Sequence, residues 1–419
     1  MVDDRKPKEQ QGLPEGWKWV RLGEVVERIR NGFVYHFSLM SKEGIPITRI
    51  ETISKGYIDE SKVGYLDFSY YELVKAFKLQ YGDILFSHIN SFEHVGKTAI
   101  YNGKPPFLIH GMNLLLLRAK DNVCHPFFLI FLLKSEEIRK KIRSLSRQAV
   151  NQVSINISDL SKLSIPLPPL PEQRKIAQIF ETVDNAIEKT EKIIEKYKRI
   201  KQGLMQDLLT KGIDEKGNIR SEKTHKFKDS PLGRIPEEWE VVRLEEVVYF
   251  KNGKSPIFSE EGAYPVYGSN GLIGFSKIYQ FEGEHLIIGR VGASGEVRMV
   301  SGKFFASDNC LVGLLIKEEG VNLKYMFYYL KYFDLKRFIT QTAQPLITQS
   351  LINNLLIPLP PLSEQKRIAE ILSQIDQAIE KEEKYKQKLE RLKKGLMEDL
   401  LTGKVRVNKL LEGENHGMA

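Results

Sequence analysis

The sequence has few of the residues that would place it in a specialised protein class. It contains 2 cysteines in 419 residues, Cys124 and Cys310, which are too few for a disulfide framework and lie in no spacing typical of metal ligands. The longest apolar run, residues 127–133, is far shorter than the roughly 18 residues of a membrane span. The first residues show no hydrophobic segment like that of a secretion signal. We therefore expect buried thiols in a cytoplasmic protein without a metal site.

Motifs for catalysis are also missing. GKT at residues 96–98 and GKS at residues 253–255 resemble the end of a phosphate-binding loop, but Ser91 and Val248 stand where that loop needs its first glycine. The sequence has no GxGxxG, no HExxH and no Asn or Asp before a Pro-Pro-aromatic segment. Nucleotide binding and methyl transfer by this chain alone are therefore not expected.

The composition is that of a globular protein with a basic excess in one part. Hydrophobic residues make up 42% and charged residues 28%, with a net charge of +9, which excludes wholesale disorder. Residues 13–165 carry a net charge of +6, whereas residues 235–357 carry −2. Net charge is therefore weak support for nucleic-acid binding, and the second segment would need a local basic patch.

The strongest feature is a long internal repeat. LPEGWKWVRLGEVV from Leu13 recurs as IPEEWEVVRLEEVV from Ile235. The stretch IPLPPLPEQRKIAQIFETVDNAIEK from Ile165 recurs as IPLPPLSEQKRIAEILSQIDQAIEK from Ile357, and GLMQDLLT recurs as GLMEDLLT. The segment between these anchors is 30 residues longer in the first copy. A period near 200 is too long for a solenoid, so each copy is predicted to be a domain followed by an appendage.

The appendage has the pattern of a long helix. Prolines end before Glu172, and the next Pro or Gly is Gly203. Apolar residues recur every seven positions in two rows, one from Ile176 and one from Ile179, and the second copy has the same register. This predicts helices over 172–209 and 364–401 that pair along an a/d seam, the alternative being amphipathic helices packed on their own domains.

Between the anchors, short β-branched and aromatic runs with Gly and Asn predict hairpins in a mixed domain. A helix is expected near the end of each domain, over 126–143 and 323–338, with its many Phe, Leu and Tyr residues facing the core. The polar, Gly- and Pro-marked stretch 211–234 is predicted to link the two copies.

Taken together, the repeated IPLPPLxEQ motif, the long helix ending in GLMxDLLT, the opening PExWxxVRLxEV and AQPLITQS at residues 343–350 resemble the specificity subunits of Type I restriction-modification systems. The resemblance covers nearly the whole chain. The first copy departs from it, because VNQVSINIS stands where AQPLITQS would be, and because its hairpin tip HINSFEHVGKTA is longer than RVGASGEV.

The resemblance implies an α+β fold with two mixed α/β target-recognition domains separated by two long antiparallel helices, related by an internal pseudo-twofold repeat. It implies these bounds: 1–165 first target-recognition domain, 166–211 first spacer helix, 212–234 linker, 235–357 second target-recognition domain, 358–404 second spacer helix, and 405–419 C-terminal tail.

The same resemblance implies a non-catalytic, sequence-specific DNA-binding subunit. Each domain would read one half of a bipartite, asymmetric site in double-stranded DNA, and partner subunits would methylate adenine or cleave. Two modification subunits and the restriction (translocase-nuclease) subunits are the implied protein partners. S-adenosylmethionine and ATP with Mg would bind to those partners, and no cofactor is expected in this chain.

Polar residues in predicted loops are the candidate DNA contacts, since Arg and Lys suit phosphate or guanine while Asn and Gln suit adenine. Each could equally cap a turn or be solvated. In the first domain the candidates are Arg30, Asn31, Arg49, Ser87, His88, Asn90, Lys97, Asn151 and Gln152. In the second domain they are Lys251, Asn252, Lys254, Ser269, Asn270, Arg290, Lys303, Asn309, Gln341, Gln344 and Thr348.

Two other function classes compete with this interpretation. A stand-alone DNA methyltransferase or nuclease would bind S-adenosylmethionine or cut DNA as a pure chain. A DNA-free scaffold that joins other proteins would show no salt-dependent DNA binding. The bases that are read do not follow from the sequence, because side-chain identity without docking geometry does not fix a base.

Overall fold

The opening and closing segments of each repeat pair with each other as strands. The computed structural model describes residues 12–149, 152–317, 319–338, 346–408 and 410. The chain divides into a first unit, made of residues up to 189 and from 386 onward, and a second unit of residues 190–385. Val20 lies opposite Ile165 in the first unit, and Val242 lies opposite Ile357 in the second. Each pair of sequence anchors therefore closes its own domain.

The first domain contains twelve described strands and five short helices. The strands are β1 Lys18–Arg21, β2 Val26–Asn31, β3 Met40–Ser41, β4 Ile45–Ile47, β5 Gly64–Leu66, β6 Ile84–Ser87, β7 Ile89–Asn90, β8 Thr98–Ile100, β9 Leu114–Ala119, β10 Arg147–Ala149, β11 Gln152–Ser154 and β12 Ser164–Leu167. The helices are α1 Leu22–Val25, α2 Tyr71–Val74, α3 Pro126–Lys134, α4 Glu136–Ser144 and α5 Ile157–Ser161. The first long helix, α6, spans Leu170–Thr210.

The second domain is built in the same way. Its strands are β13 Phe227–Ser230, β14 Gly233–Pro236, β15 Glu240–Arg243, β16 Val248–Asn252, β17 Tyr264–Gly268, β18 Gly271–Ser276, β19 Phe281–Glu282, β20 His285–Gly289, β21 Val297–Val300, β22 Lys303–Ala306, β23 Cys310–Leu315 and β24 Leu356–Leu359. The helices are α7 Leu323–Phe333 and α8 Gln349–Asn353, and the second long helix, α9, spans Leu362–Leu400.

Each domain has a four-stranded antiparallel sheet of the same strand order. The order is β2-β9-β6-β8 in the first domain and β16-β23-β20-β21 in the second. Each domain also has a second sheet, which is three-stranded with the order β3-β5-β4 in the first domain and four-stranded with the order β18-β17-β22-β19 in the second. The two unlike sequences between the anchors therefore fold to one design with different embellishments.

The helix near the end of each domain fills the core behind its sheet. In α3 the side chains of Phe128 and Leu129 are fully buried, and in α7 the same holds for Tyr325 and Met326. This burial confirms that these apolar helices face the core and hold the sheets against the long helices.

The predicted helix 126–143 is wrong as a single element. The chain leaves the helical conformation at Ser135, where ψ is 148°, and restarts as α4. The Ser135 hydroxyl donates to the Leu132 carbonyl at 2.7 Å, which satisfies the end of α3. The predicted helix 323–338 also ends early, because Asp334 adopts a left-handed conformation with φ of 51° and a 3-10 turn follows.

The two long helices are confirmed, and they run antiparallel within each unit. In the first unit, Asp184 of α6 pairs with Lys393 of α9 at 2.5 Å. In the second unit, Lys201 of α6 pairs with Asp376 of α9, also at 2.5 Å. The starts of both helices also belong to the cores of their own domains, so pairing and packing on the domain occur together.

One of the two predicted seam rows is wrong. The row from Ile176 is buried at Val183 and Thr190, but Ile193 and Ile200 of the other row are 41% and 39% exposed. The more buried second row is Phe180, Ile187 and Ile194 at the same spacing of seven, with Phe180 and Ile194 buried and Ile187 half-buried. Both candidate rows flank the first row and both are apolar, so periodicity alone cannot choose between them. In the structure, Phe180 packs against Phe131 of the domain with ring centroids 4.7 Å apart.

The stretch predicted as a linker has structure of its own. Strands β13 and β14 form an antiparallel hairpin in it, and Ile213 is buried in the second core. Arg220 is 7% exposed and bonds to the carboxylate of Glu364, which also accepts a hydrogen bond from Trp239 at 3.1 Å. The segment therefore belongs to the second unit.

Cys124 and Cys310 are free and buried, as predicted. In the described part of the chain, every helix is too short or too polar to span a bilayer.

Candidate nucleic-acid interface

Three chain segments, connected to the four strands, converge at one end of each large sheet. Because neighbouring strands are antiparallel, the end of one strand lies beside the start of the next. We define the first loop end as residues 31–33, 87–98 and 110–113, which connect to β2, β6, β8 and β9. The second loop end is residues 252–254, 289–297 and 307–310, with the equivalent connections. Many of the predicted DNA contacts lie at these two places.

An Asn-Gly pair begins each loop end. A Cβ on Gly32 would lie 2.0 Å from the Gly111 carbonyl oxygen, and one on Gly253 would lie 2.1 Å from the Ser307 carbonyl oxygen. Only glycine allows the chain to pass so close to the neighbouring loop. This contact places the exposed Asn31 at the rim of the first loop end, and Asn252 has the same place in the second.

In the first loop end, predicted residues divide into exposed and supporting groups. Ser87 and His88 are 1% and 8% exposed. The Asn90 amide donates to the Ser87 hydroxyl at 3.1 Å. Burial lowers the pKa of His88, so its ring is neutral near pH 7. Lys97 donates to the Ser54 carbonyl at 2.7 Å. Buried Ser87 and His88 therefore shape the loop, while Asn90 and Lys97 keep partial access to solvent.

The small sheet β10-β11-β7 brings a further predicted residue to this end. Strand β11 pairs with β7, with Val153 opposite Asn90. Gln152 is exposed on β11, one residue from this pair. Asn151 lies outside the described residues.

The side chain of Arg30 is turned away from the rim. Its guanidinium donates to the Ala76 carbonyl at 3.0 Å and lies 4.9 Å from the centre of the Phe77 ring. Burial, together with the nearby Arg28 and Arg118, lowers its pKa. The structure thus gives Arg30 a packing role beside the loop end.

Arg49 lies next to the loop end, beside a residue that the sequence reasoning missed. Arg49, Tyr35 and the exposed Asn113 line one surface cavity of about 200 Å³. Asn113 has a left-handed φ of 66° and directly precedes β9, which is the place that Asn309 holds before β23. The signal for Asn113 was an Asn just before the strand in both copies.

In the second loop end, Arg290 is the central cation. It follows β20, and its guanidinium donates to the carbonyl oxygens of Asp308 and Ile347 at 3.3 and 3.4 Å. Its backbone amide donates to the Asn309 carbonyl at 2.8 Å. These contacts bring Arg290 and Asn309 together, with Asn309 exposed.

Lys254 is also part of this end, and three other predicted residues flank it. Lys254 is exposed, and its amide donates to the Ala306 carbonyl at 3.1 Å. Ser269 lies beside Gly289 and Gly292 at the tip of the β17-β18 hairpin, followed by the exposed Asn270. The ammonium of Lys251 is 5.6 Å from the centre of the Phe281 ring.

The remaining predicted residues lie elsewhere or outside the description. Lys303 begins β22, and its ammonium is 4.7 Å from the Tyr279 ring and 3.8 Å from Glu282. The Thr348 hydroxyl caps α8 by accepting a hydrogen bond from the Leu351 amide at 3.2 Å, which is a structural role. Gln341 and Gln344 lie outside the described residues.

The sequence reasoning also missed a basic helix face beside the first loop end. In α4, Ile138 and Ile142 are buried, and Arg139 lies near Lys97 and Lys55 on the wall of a cavity of about 280 Å³. Burial and the neighbouring Arg143 lower the pKa of Arg139. The basic residues of the segment EEIRKKIRS carry the signal, but the sequence analysis considers only the apolar residues of this helix.

The side chains at the two loop ends suit contacts with base edges and phosphate. The loop ends combine amide side chains, which suit adenine edges, with guanidinium and ammonium groups, which suit guanine or phosphate. In the residues that the structure describes, no cluster of His, Cys, Asp and Glu has the geometry for a metal ion.

Comparisons with known proteins agree with this chemistry. A family model described as the Type I restriction modification DNA specificity domain matches residues 14–199 and 236–391. The chain is 41% identical over 415 residues to the MjaX type I restriction enzyme specificity subunit of Methanocaldococcus jannaschii, covering 94% of this chain and 95% of the relative. It is 31% identical over 446 residues to the MjaVIII specificity subunit of the same organism, covering 96% of each.

A solved structure shares the fold. The S subunit of a Type I restriction-modification system from M. genitalium aligns with a TM-score of 0.65 and 18% identity, covering 94% of this chain and 98% of that one. Because the family model matches most of the chain and the relatives align along nearly all of it, the chain belongs to the specificity subunits of Type I restriction-modification systems, which recognise DNA sequence.

Proposed function

We propose that each domain reads one half of a bipartite, asymmetric site in double-stranded DNA. The observation that carries this proposal is the pair of equivalent loop ends. Each includes an Asn-Gly pair, and each is connected to four strands that occupy equivalent places in the two large sheets. A bipartite site requires two recognition domains, and this chain carries two that share one fold.

The two half-sites differ in sequence, because the two loop ends present different side chains. The first has a long exposed tip around Phe92, which is 57% exposed, together with Asn90 and Asn113. The second has a short tip, with Arg290 and Asn309 at its centre. Amide-rich and guanidinium-rich surfaces favour different base edges in the major groove.

The chain acts through partner subunits and is not itself a catalyst. Its sequence has no cofactor loop and no amino-methylation motif. Two modification subunits would supply S-adenosylmethionine and methylate adenine, and the restriction subunits would supply ATP and Mg for translocation and cleavage. The exposed apolar residues Ile193, Ile200, Tyr385 and Leu392 on the long helices are candidate contacts for the modification subunits.

The test is selection of bound sites from a random DNA library by the chain with its modification subunit. Asn31→Ala should weaken base preference in one half-site only, and Asn252→Ala should weaken it in the other half-site only, by about tenfold at the affected positions. Lys303→Ala is the matched control, because Lys303 lies away from the loop end, and it should leave both half-sites unchanged. If either Asn variant altered both halves, independent reading would be wrong.

A second experiment separates this proposal from the alternative functions. The pure chain should transfer no methyl group from labelled S-adenosylmethionine to DNA, and addition of the modification subunit should restore transfer. Methylation or cleavage by the pure chain would identify an enzyme. A complex whose assembly needs this chain but which shows no salt-dependent DNA binding would identify a scaffold.

A further inference from the structure

A cluster of four side chains occurs twice, once where each domain meets the long helices. In the first unit it consists of Phe131 and Lys134 of α3, Asp184 of α6 and Lys393 of α9. In the second unit it consists of Tyr328 and Lys331 of α7, Lys201 of α6 and Asp376 of α9. The two long helices exchange roles between the clusters, since each supplies the acid in one unit and the lysine in the other.

In the first cluster, an ion pair rests on an aromatic ring. The Lys393 ammonium is 2.5 Å from the Asp184 carboxylate and 5.4 Å from the centre of the Phe131 ring. Lys134 stands one turn along α3 and donates to the Gly56 carbonyl at 2.8 Å. Burial, with Lys393 nearby, lowers the pKa of Lys134 to about 8. A domain helix and both long helices therefore meet at one point.

The second cluster repeats this geometry with one added hydrogen bond. The Lys201 ammonium is 2.5 Å from Asp376 and 5.5 Å from the centre of the Tyr328 ring. The Tyr328 hydroxyl donates to the second oxygen of Asp376 at 2.8 Å. Burial, with Lys201 nearby, lowers the pKa of Lys331. The hydroxyl is absent in the first unit only because phenylalanine stands there.

The matching residues are set in otherwise different helices. Few positions are identical between PFFLIFLLK, which is residues 126–134 of α3, and LKYMFYYLK, which is residues 323–331 of α7. Both nevertheless place an aromatic ring three residues before a lysine, which puts the two side chains on one helix face. The feature shared by two domains with different loop ends is thus the part that faces the long helices.

Directional contacts of this kind define an orientation. A part-buried ion pair adds little net stability because desolvation offsets attraction, but its geometry, and that of a cation over a ring, is specific. The side chains of Lys393 and Asp184 are 26% and 40% exposed, and those of Lys201 and Asp376 are 20% and 37% exposed. The two clusters thus have matching surroundings.

We propose that each cluster is a docking joint that fixes the orientation of a recognition domain on the long helices, and so helps to set the DNA spacer accepted between the half-sites. A domain whose core helix carries an aromatic residue and a lysine three positions later fits the joint. The spacer part of this inference rests on the proposed reading of a bipartite site.

The experiment selects DNA from a random-spacer library with the full chain in complex with its modification subunit. Asp184→Asn breaks the first joint and should reduce the preference for the optimal spacer over neighbouring lengths by about fivefold, the scale of one part-buried ion pair. The base preferences of both half-sites should stay the same. Asp376→Asn should act in the same way through the second joint.

Glu383→Gln is the matched control. Glu383 pairs with Lys198 at 2.8 Å between the same two helices, but both side chains are largely exposed, at 46% and 58%, and the pair includes no domain residue. It should leave the spacer profile unchanged. Rescue provides a second control, since exchange of the charges in Asp184→Lys with Lys393→Asp should restore much of the profile.

One further variant adds a contact to the first cluster and removes none, so its effect does not come from a weakened fold. Phe131→Tyr gives the first joint the hydroxyl of the second and should sharpen the spacer preference, whereas Tyr328→Phe should broaden it. Unchanged spacer profiles in Asp184→Asn, Asp376→Asn and Phe131→Tyr, with two half-sites still selected, would overturn the joint. Absence of any half-site selection by the wild-type complex would instead overturn the proposed function.

Discussion

Arg406 forms two hydrogen bonds with Glu172, from Nε to Oε1 at 2.7 Å and from Nη2 to Oε2 at 2.9 Å. The same carboxylate accepts a hydrogen bond from the Trp17 indole at 3.0 Å and is 2% exposed. The three residues come from the opening strand region, the start of α6 and the segment after α9. The end of the described chain is therefore part of the first unit, just as Arg220 after α6 is part of the second.

Arg406→Ala should destabilise the first unit by roughly 2 kcal/mol. The substitution removes both Arg406 hydrogen bonds to the buried Glu172 carboxylate, so that among the described contacts the Trp17 indole is the one side-chain donor left to it. Urea unfolding measures the loss, and hydrogen exchange should assign it to the first unit. Arg406→Lys should recover only part of the stability, since an ammonium cannot form the two-pronged contact. Equal loss of protection in both units would contradict this view of the tail.

Gly32→Ala should destabilise the first domain by about 2–3 kcal/mol, because the new Cβ would lie 2.0 Å from a backbone oxygen. The first loop end should be distorted as well, so that base preference is lost in the half-site bound by the first domain before it is lost in the other. Thermal unfolding and site selection measure the two effects. Gly203→Ala is the control: Gly203 lies in α6 with no atom within 4 Å of an added Cβ, so it should stabilise by about 0.5–1 kcal/mol.

His110 should make the stability of the first domain depend on pH. Its ring is fully buried, and Nε2 lies 2.9 Å from the Leu114 carbonyl, which makes Nε2–H the donor. Burial, helped by nearby Arg30 and His88, lowers its pKa to about 4, although the hydrogen bond to Leu114 and the charge of Asp83 act in the opposite direction.

The sign of the effect follows from proton uptake. As pH falls, the unfolded chain, with its histidine near its ordinary pKa of about 6.5, binds a proton before the folded chain does. The stabilising contribution is therefore complete above pH 6.5 and is lost as pH falls towards 4, by about 3 kcal/mol. The measurement is unfolding free energy against pH for wild type and His110→Gln. The slope between pH 6.5 and 4 should be smaller in the variant, and identical slopes would refute the assignment.

Much of the architecture could be predicted because the repeat marks its own boundaries. The proline-rich anchors and the glycine-free stretch after Glu172 located both long helices to within about two residues. The break at Ser135 was missed, although a Ser followed by Glu136 and Glu137 is the pattern of a new helix start. The wrong seam row has a different cause, since the choice between Phe180 and Ile179 depends on contact with Phe131.

The candidate site was predictable in part. The Asn-Gly pairs were visible in the sequence, but the inward turn of Arg30 depends on Phe77, which lies far away in the chain. Asn113 became evident only when the structure aligned the strands that follow Asn113 and Asn309. The two segments between the anchors differ too much to be aligned by residue type. Equivalent positions in the two domains therefore had to be identified from the order of the strands.

The long helices should act as a ruler for the DNA spacer. Insertion of seven residues after Thr190 and seven after Glu382 preserves the buried rows, because seven residues restore a pattern that repeats every seven. Each helix should lengthen by about 10 Å, which corresponds to about three base pairs of added spacer at roughly 3.4 Å each. That spacer also turns one half-site by about 100° around the duplex, so affinity should fall unless the DNA twists.

Selection from a random-spacer library measures the new optimum, and the two half-site sequences should be retained. A matched pair of two-residue insertions at the same positions is the control. It rotates the following residues by about 200°, which would turn the exposed rows inward, so it should lower the thermal stability and abolish a single spacer optimum. An unchanged optimum with full affinity after the seven-residue insertions would show that the helices do not set the spacing.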